Sequence, residues 1–298
     1  MRLGSRLKPT RLVNFLRAAR IRIVGRRDYR SASLMQSAES RNCRLCGAVD
    51  AAHGIVGEPA ATHDAKLQRV DYRLLNCAAC DCIYLDPLPS QADLQLLYEE
   101  STQFSDATYS APENARKIVS RYESRLRDLN LFPDDGEVLL EVGAGLAWIA
   151  HACKKHSPRI RTVAQDVSSE CVAMCPWVDD YRVEPIEALP LDMHATLVSM
   201  THVLEHVPDP EATLREVSRR VRRGGHVYIT APFRPPFWKP KHGLGPWLNY
   251  SYHHVPAHIS YLSHAWFVSV AARIDMRLVH WDSSQDAHQV FEAVLEKR

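Results

Sequence analysis

Long apolar runs are missing from this 298-residue chain. It contains no apolar run near the roughly 20 residues that a membrane-spanning helix needs. No long apolar stretch follows its first positive charges, so a secretory signal is not apparent. Acidic side chains are almost absent from residues 1–30, which hold ten basic residues and only Asp28. These absences predict a protein that neither spans a membrane nor is exported.

The basic segment differs in charge from the rest of the chain. Residues 1–30 carry a net charge of +9, and because the whole chain is +2, the remainder is −7. Apolar residues alternate with the arginines, so a basic amphipathic helix is possible there. Three interpretations stay open: a solvated leader, a contact with an anionic membrane surface, and a transit peptide. Charge alone does not indicate nucleic-acid binding, and no such partner is expected.

A buried strand followed by a glycine-rich turn is the most informative pattern. The apolar run at residues 138–140 suits a parallel strand that is covered on both faces. Gly143 and Gly145 allow a sharp turn and a close approach of a ligand to the backbone. A helical pattern begins at Ala147. A strand, a glycine turn and a helix together predict a cradle for a nucleotide-like ligand at the carboxyl end of a parallel sheet.

The segments that follow repeat the alternation of strand and helix. Residues 161–166 read as a second strand that ends in Asp166, at the spacing of a carboxylate that binds ribose hydroxyls. Further strands are predicted at residues 195–200 and 226–231, with a helix at 211–221 between them. The alternation predicts a doubly wound α/β sheet.

Four of the eight cysteines form two C-x-x-C pairs, with thirty residues between them. Two such pairs can place four thiolates tetrahedrally around Zn²⁺, and strands are expected to flank the second pair. Reduced or disulfide-linked dithiols are the alternative. A reduced, metal-binding set favours the cytoplasm. The predicted zinc ligands are Cys43, Cys46, Cys77 and Cys80.

The other cysteines are not assigned to the metal. Cys82 is a spare thiol close to the second pair, and Cys153 is expected in the core. Cys171 and Cys175 lie four residues apart on a predicted helix and are also expected to be core residues.

Residues 202–206 spell H-x-x-E-H, the letters of one class of metalloprotease. That motif requires a helix, so that both histidines share a face. Here it follows a strand and precedes Pro208 and Pro210, which would cut a helix short. We therefore expect a loop facing a substrate, in which Glu205 bonds the backbone of the turn and His206 is the candidate general base.

The strand, turn and loop motifs resemble those of the class I S-adenosylmethionine (SAM)-dependent methyltransferases, over roughly residues 115–298. Three alternating glycines are usual in that family, and Ala147 stands at the third position. The resemblance implies that Gly143 and Gly145 lie alongside the methionine part of SAM. It further implies that Glu141 organises the turn and contacts the amino group, that Asp166 binds the ribose, and that two residues frame the adenine, namely Ile186 and Glu187.

The cysteine pairs and residues 85–89, ahead of such a domain, are similar to the zinc-ribbon methyltransferases. These include C-methyltransferases of nucleotide-linked deoxysugars. The resemblance places His206 and His258 at the acceptor, but the acidic partner of the second histidine is replaced by Ala257. This sequence also has no room for the further carboxyl-terminal domain of the sugar enzymes.

A proline- and aromatic-rich segment, residues 232–256, follows the strand predicted at 226–231. It is interpreted either as packing over the sheet edge or as an acceptor pocket or membrane-facing lip.

The predicted organisation is a Rossmann-like α/β methyltransferase domain preceded by a small zinc ribbon. The predicted cofactors are SAM and structural Zn²⁺, and the predicted acceptor is a small, sugar- or lipid-linked molecule. The predicted location is the cytoplasm, with attachment to a membrane surface as the open alternative. The alternative is a non-catalytic methyltransferase-like fold with an interaction module. The boundaries are a basic segment at 1–38, the ribbon at 39–88, a helical linker at 89–111 and the methyltransferase domain at 112–298.

Overall fold

The fold is taken from a computed structural model, which describes residues 41–55, 60–61, 70–99, 111–283 and 289–298. The basic segment at 1–38 lies outside the described residues, so the expectations for it stay predictions. Within the described ranges, no helix combines the length and the apolar character needed to cross a membrane.

The amino-terminal part is a small antiparallel sheet built around the cysteine pairs. Its strands are β1 (Ala52–Gly54), β2 (Ala60–Ala61), β3 (Asp71–Cys77) and β4 (Ile83–Asp86). Strands β3 and β4 flank the second cysteine pair, as predicted. The helix α1 (Gln91–Glu99) follows within the predicted linker.

The larger part begins with α2 (Pro112–Asp128) and contains a seven-stranded sheet. Its first half is β5 (Val138–Val142), α3 (Trp148–His156), β6 (Arg161–Asp166), β7 (Asp180–Val183) and β8 (Ala195–Thr201). The second half is α4 (Pro210–Ser218), β9 (Val221–Pro232), α5 (Gly245–Leu248), β10 (Ser260–Tyr261), α6 (His264–Arg273), β11 (Met276–Asp282) and β12 (Val290–Lys297).

The order of the large sheet is β11-β12-β9-β8-β5-β6-β7. Strands β5 to β9 pair in parallel, whereas β12 is antiparallel to both β9 and β11. Helices α2 and α3 cover one face through Val119, Leu126 and Ile149. Helices α4 and α6 cover the other through Leu214 and Trp266. The prediction of a Rossmann-like, doubly wound sheet is thus confirmed.

Strand β10 does not belong to the large sheet. It pairs antiparallel with β4, so the small sheet has the order β1-β3-β4-β10 and is completed by residues that follow β9 in the chain. The two parts also share one core, in which Leu75 and Tyr84 of the small sheet belong with Leu140 and Trp266 of the large part. The ribbon is therefore integrated into the methyltransferase fold through shared packing.

The proline- and aromatic-rich segment packs against the small sheet. Trp238, Trp247 and Tyr250 are buried in a third core cluster together with Tyr72 and Leu85 of the small sheet. The interpretation of this segment as packing holds for these three aromatic side chains, although their partner is the ribbon rather than the edge of the large sheet. Burying such large side chains supplies much of the apolar area that a small ribbon cannot supply alone.

Two local predictions are wrong. The segment between Cys171 and Cys175 is a single 3₁₀ turn, Val172–Met174, although both thiols are buried as expected. The helix predicted to reach Val221 ends at Ser218, and the arginine–glycine stretch after it already belongs to β9. Gly224 has a φ of 71°, and the pairing of β8 with β9 shifts register there. A glycine pair thus marks an irregularity within a strand instead of a loop.

Candidate active site

The glycine turn after β5 is shaped by its contact with the loop after β8. Gly143 has a φ of 61° and Gly145 a φ of 48°, a left-handed backbone that side chains other than glycine rarely adopt. A Cβ added to Gly143 would lie 2.5 Å from Cγ2 of Val203. Position 143 therefore requires glycine for its backbone and for its close packing against the neighbouring loop.

Ala147 begins helix α3 in a left-handed conformation, with φ 48° and ψ 50°, and is fully buried. In Rossmann-type turns, a glycine at this position allows close packing of helix and strand. The backbone supplies a second reason, because alanine is strained in this region and glycine is not. The indole N–H of Trp177 donates to the Ala147 carbonyl oxygen at 2.9 Å and helps to hold the turn.

Glu141 is a buried carboxylate at the amino end of helix α3. It accepts hydrogen bonds from the backbone N–H groups of Ile149 (3.3 Å) and Ala150 (2.8 Å), groups that have no partner within the helix. Burial raises the pKa of Glu141 to about 8. The Glu141 carboxyl group thus organises the turn from the helix side.

Asp166 links the glycine turn to the end of β6. Its Oδ2 accepts from the N–H of Gly145 at 2.8 Å, and its Oδ1 accepts from the N–H of Ser168 at 3.0 Å. The N–H of Glu184 donates to the carbonyl oxygen of Asp166 at 3.0 Å, which brings the turn after β7 alongside. In that turn Ile186 is buried and Glu187 is exposed. The six residues predicted to bind the cofactor therefore lie along the carboxyl ends of β5, β6 and β7.

The loop after β8 is a turn, so the H-x-x-E-H letters do not form a metalloprotease helix. His202 has a φ of 57°, and its N–H donates to Thr230 O at 2.8 Å. The Glu205 carboxylate is fully buried, and its Oε1 lies 3.2 Å from Nδ1 of His202. The expectation that this carboxylate bonds the backbone of the turn is therefore wrong. Its Oε2 has no hydrogen-bond partner among the described residues.

The Glu205 carboxyl group is ionised. Burial acts to raise its pKa, but the hydrogen bond from His202 and the nearby His206 outweigh that effect and lower the pKa to about 2. A buried carboxylate of this kind polarises the imidazoles around it.

His206 and His258 come together although they lie far apart in the chain. Their ring centroids are 4.8 Å apart, at an interplanar angle of 71°. Nδ1 of His206 lies 2.8 Å from Ala257 O, and Nδ1 of His258 lies 2.7 Å from Tyr252 O. Burial, reinforced by His206, lowers the pKa of His258 to about 3, so that ring is neutral near pH 7. Donor atoms of Glu205, His206 and His258 lie within 4.8 Å of one another, a spacing that could hold a metal ion.

The two cysteine pairs bring their sulfur atoms together. Sγ of Cys43 lies 3.9 Å from that of Cys80, and Sγ of Cys46 lies 3.7 Å from that of Cys77. Zn–S bonds of about 2.3 Å in a tetrahedron would separate the sulfurs by about 3.8 Å. None of the four thiols forms a disulfide. The donor set therefore fits Zn²⁺, and Cys82 lies outside this group of four.

The first knuckle of the ribbon contacts the loops that carry the two histidines. Arg44 Nη1 donates to Pro208 O at 3.0 Å, and its Nη2 donates to Ile259 O at 2.8 Å. The guanidinium also lies over the ring of Tyr84, 4.8 Å from its centroid. The sequence did not indicate a role for Arg44, because a C-x-x-C pair does not show which residues its two middle side chains contact.

Most of the larger part of the chain matches one known protein family. The family model described as "Methyltransferase domain" matches residues 112–291, more than half of the chain. The chain belongs to the methyltransferase-domain family.

Individual relatives are more distant. A ubiquinone biosynthesis O-methyltransferase of Xanthomonas oryzae pv. oryzae (strain PXO99A) is 26% identical over 110 residues, which are 34% of this chain and 45% of that protein. The enzyme of the same name from Chromobacterium violaceum is 29% identical over 102 residues, 32% of this chain and 44% of that protein. The chain thus spans less than half the length of these curated relatives. The structure of the mitomycin 7-O-methyltransferase MmcR matches with a TM-score of 0.50 at 13% identity, over 69% of this chain and 60% of that one, which supports the shared fold.

Proposed function

We propose that this protein transfers a methyl group from SAM to a hydroxyl oxygen of a small, sugar-linked or lipid-linked acceptor in the cytoplasm. The observation that carries the proposal is the carboxyl edge of the large sheet. A glycine turn and Asp166 lie over β5 and β6, and a histidine cluster lies beyond β8. Open α/β sheets bind ligands at this edge. Membership of the methyltransferase-domain family supports SAM as the donor.

On the cofactor side, the methionine part of SAM would lie against Gly143 and Gly145. Glu141 would hold the turn and meet the amino group of the ligand, and Asp166 would bind the ribose hydroxyls. Ile186 and Glu187 would frame the adenine. In support, the Gly145 N–H donates to the Asp166 carboxylate at 2.8 Å, so the two parts of the cradle are directly linked.

On the acceptor side, His206 and His258 would flank the bound acceptor. The names of the O-methyltransferase relatives favour oxygen over carbon or nitrogen as the methylated atom. The sulfonium of SAM carries a good leaving group, so the protein mainly has to orient donor and acceptor. A base is needed to the extent that the hydroxyl must lose its proton during transfer.

Zn²⁺ would be held by Cys43, Cys46, Cys77 and Cys80 as a structural ion. Four thiolates close the coordination sphere and leave no open position for a substrate. When bound, the ion supplies folding free energy to the ribbon and takes no part in the transfer.

Calorimetry with SAM tests the cofactor assignment. Replacing Asp166 by Ala should weaken SAM by ~1–3 kcal/mol, because the ribose hydroxyls and the N–H of Gly145 would lose a charged partner. Asp166→Asn is the matched control, because asparagine keeps the shape of the side chain. This variant should lose less SAM affinity than Asp166→Ala.

The alternative is a non-catalytic methyltransferase-like fold with the ribbon as an interaction module. Absence of SAM binding by the wild-type protein would favour that alternative. Methyl transfer from labelled SAM to any acceptor in a hydroxylated panel would eliminate it.

A further inference from the structure

His202 and Glu205 form a carboxylate–imidazole pair in the loop after β8. We propose that His202 is the general base that takes the proton of the acceptor hydroxyl, with Glu205 as the residue that positions it. This inference rests on the proposed methyl transfer. It assigns the base role expected for His206 to the first histidine of the same H-x-x-E-H motif, for which the sequence predicted no base role.

The pair has the geometry that prepares an imidazole to accept a proton. Nδ1 of His202 lies 3.2 Å from Oε1 of Glu205, so the ring proton resides on Nδ1 and the lone pair on Nε2. The Glu205 side chain is fully buried, whereas that of His202 is 40% exposed. A buried carboxylate behind a partly open ring orients the base and stabilises the imidazolium that forms.

The two other histidines of the cluster are less suited to this role. The His206 side chain is 23% exposed, with Nδ1 2.8 Å from Ala257 O and Nε2 3.9 Å from Oε1 of Glu205. Both of its ring nitrogens therefore face oxygen atoms of the protein. His258 is buried, and its Nδ1 is bonded to Tyr252 O. These rings are placed to line the site, while His202 is the most open of the three.

The position of His202 also joins the two halves of the site. The next residue, Val203, packs against Gly143 in the turn proposed to hold the methionine part of SAM. His202 itself has a left-handed φ of 57° at the end of β8. Such a backbone costs about 1–3 kcal/mol outside glycine and tends to occur at functional sites, although histidine tolerates it better than most residues.

The proposed step is balanced within the site. The acceptor oxygen forms a bond to the methyl carbon as the S–CH₃ bond breaks, and the electron pair of that bond returns to sulfur. The proton of the hydroxyl passes to Nε2 of His202. The products are the methyl ether, neutral S-adenosylhomocysteine and an imidazolium beside the Glu205 carboxylate, which then loses its proton to solvent.

The test compares two histidine-to-asparagine variants, whose substitutions lie at opposite ends of strand β8. Asparagine tolerates a left-handed backbone and can still bond Glu205, but it cannot act as a base. His202→Asn should lower kcat by ~10²–10⁴-fold, while SAM affinity by calorimetry and the melting temperature stay near wild type. His194→Asn is the matched control, because His194 is exposed and has a φ of 47° just before β8. It should turn over like the wild type.

Chemical rescue separates a base from a merely structural residue. Imidazole added to His202→Gly should restore a measurable part of the rate, because the small base can occupy the vacated space. Near-normal turnover of His202→Asn, or the absence of rescue in an otherwise folded His202→Gly, would overturn the assignment. If the wild type neither binds SAM nor methylates any acceptor, the proposed function fails first, and this inference fails with it.

Discussion

The proposed cofactor side and the proposed acceptor side of the sheet edge are built in different ways. The cofactor side comes mostly from one continuous unit, β5 to β6, in which Asp166 bonds Gly145 and Glu141 caps helix α3. The proposed acceptor side combines the loop after β8, residues 252–258, and Arg44 of the first cysteine pair. The first side depends on local backbone geometry, and the second depends on contacts between distant segments.

This difference implies that the two sides should fail separately. A change in the ribbon should disturb the histidine loops and leave the glycine turn largely intact. A change in the glycine turn should impair SAM binding even when the ribbon keeps its metal. The predictions below test that separation, beginning with the largest expected effect.

Loss of a zinc ligand should have the largest effect. Structural Zn²⁺ contributes about 10–16 kcal/mol to the folding of small zinc domains, so Cys80→Ser should unfold much of the ribbon. We expect metal content, melting temperature and methyl transfer to fall, while calorimetry still detects SAM binding. Cys82→Ser is the control, because Cys82 is buried close by and is not one of the four proposed ligands. Full zinc content in Cys80→Ser would contradict the four-thiolate assignment.

Gly143→Ala should damage the cofactor side. The added Cβ would lie 2.5 Å from Val203 Cγ2, and the φ of 61° adds about 1–2 kcal/mol of backbone strain. SAM affinity measured by calorimetry should fall by ~10–100-fold, or about 1.4–2.8 kcal/mol. Gly136→Ala is matched for strain, since its φ is 87° but its added Cβ meets nothing within 4 Å. Equal SAM affinities in the two variants would show that the contact with Val203 is unimportant.

Arg44→Met should weaken the acceptor side without removing zinc. The change deletes two hydrogen bonds from a charged donor, to Pro208 O and Ile259 O, at a cost of about 1.5–3 kcal/mol in stability. Methyl transfer should fall while zinc content and SAM affinity remain. Arg41→Met, which removes an exposed ion pair with Asp86, should cost less than about 1 kcal/mol. If the two arginine variants behave alike, the link between knuckle and histidine loops is not functional.

Ala147→Gly should produce the smallest effect, and in the stabilising direction. The φ of 48° is unfavourable for alanine, and glycine relieves about 1–2 kcal/mol of it while losing about 0.5–1 kcal/mol through greater freedom in the unfolded chain. A net gain of up to about 1.5 kcal/mol should appear as a small rise in melting temperature. A lower melting temperature would mean that the buried methyl group matters more than the backbone strain.

The local fold of the proposed cofactor side was the easier part to predict from the sequence. The strand, the glycine turn and Asp166 follow each other within one βαβ unit, and their spacing is a local property of the chain. The cysteine pairs gave an equally clear prediction, because four thiols in two C-x-x-C pairs indicate a shared metal ion. The errors were local as well: the strand predicted at 226–231 begins at Val221, so residues 224–225 lie inside β9.

The acceptor side shows why the remainder needed the fold. The letters H-x-x-E-H do not reveal that the Glu205 carboxylate bonds His202, because a turn and a helix place those side chains differently. Nor do they reveal that Arg44 reaches Ile259, or that β10 completes the sheet of the ribbon. Short-range patterns in the sequence thus predicted the family and the fold class, which are confirmed, and the cofactor cradle and the zinc ligands, which stay predictions. The histidine cluster depends on long-range packing. Its buried polar groups form hydrogen bonds with residues that cannot be identified from spacing along the chain.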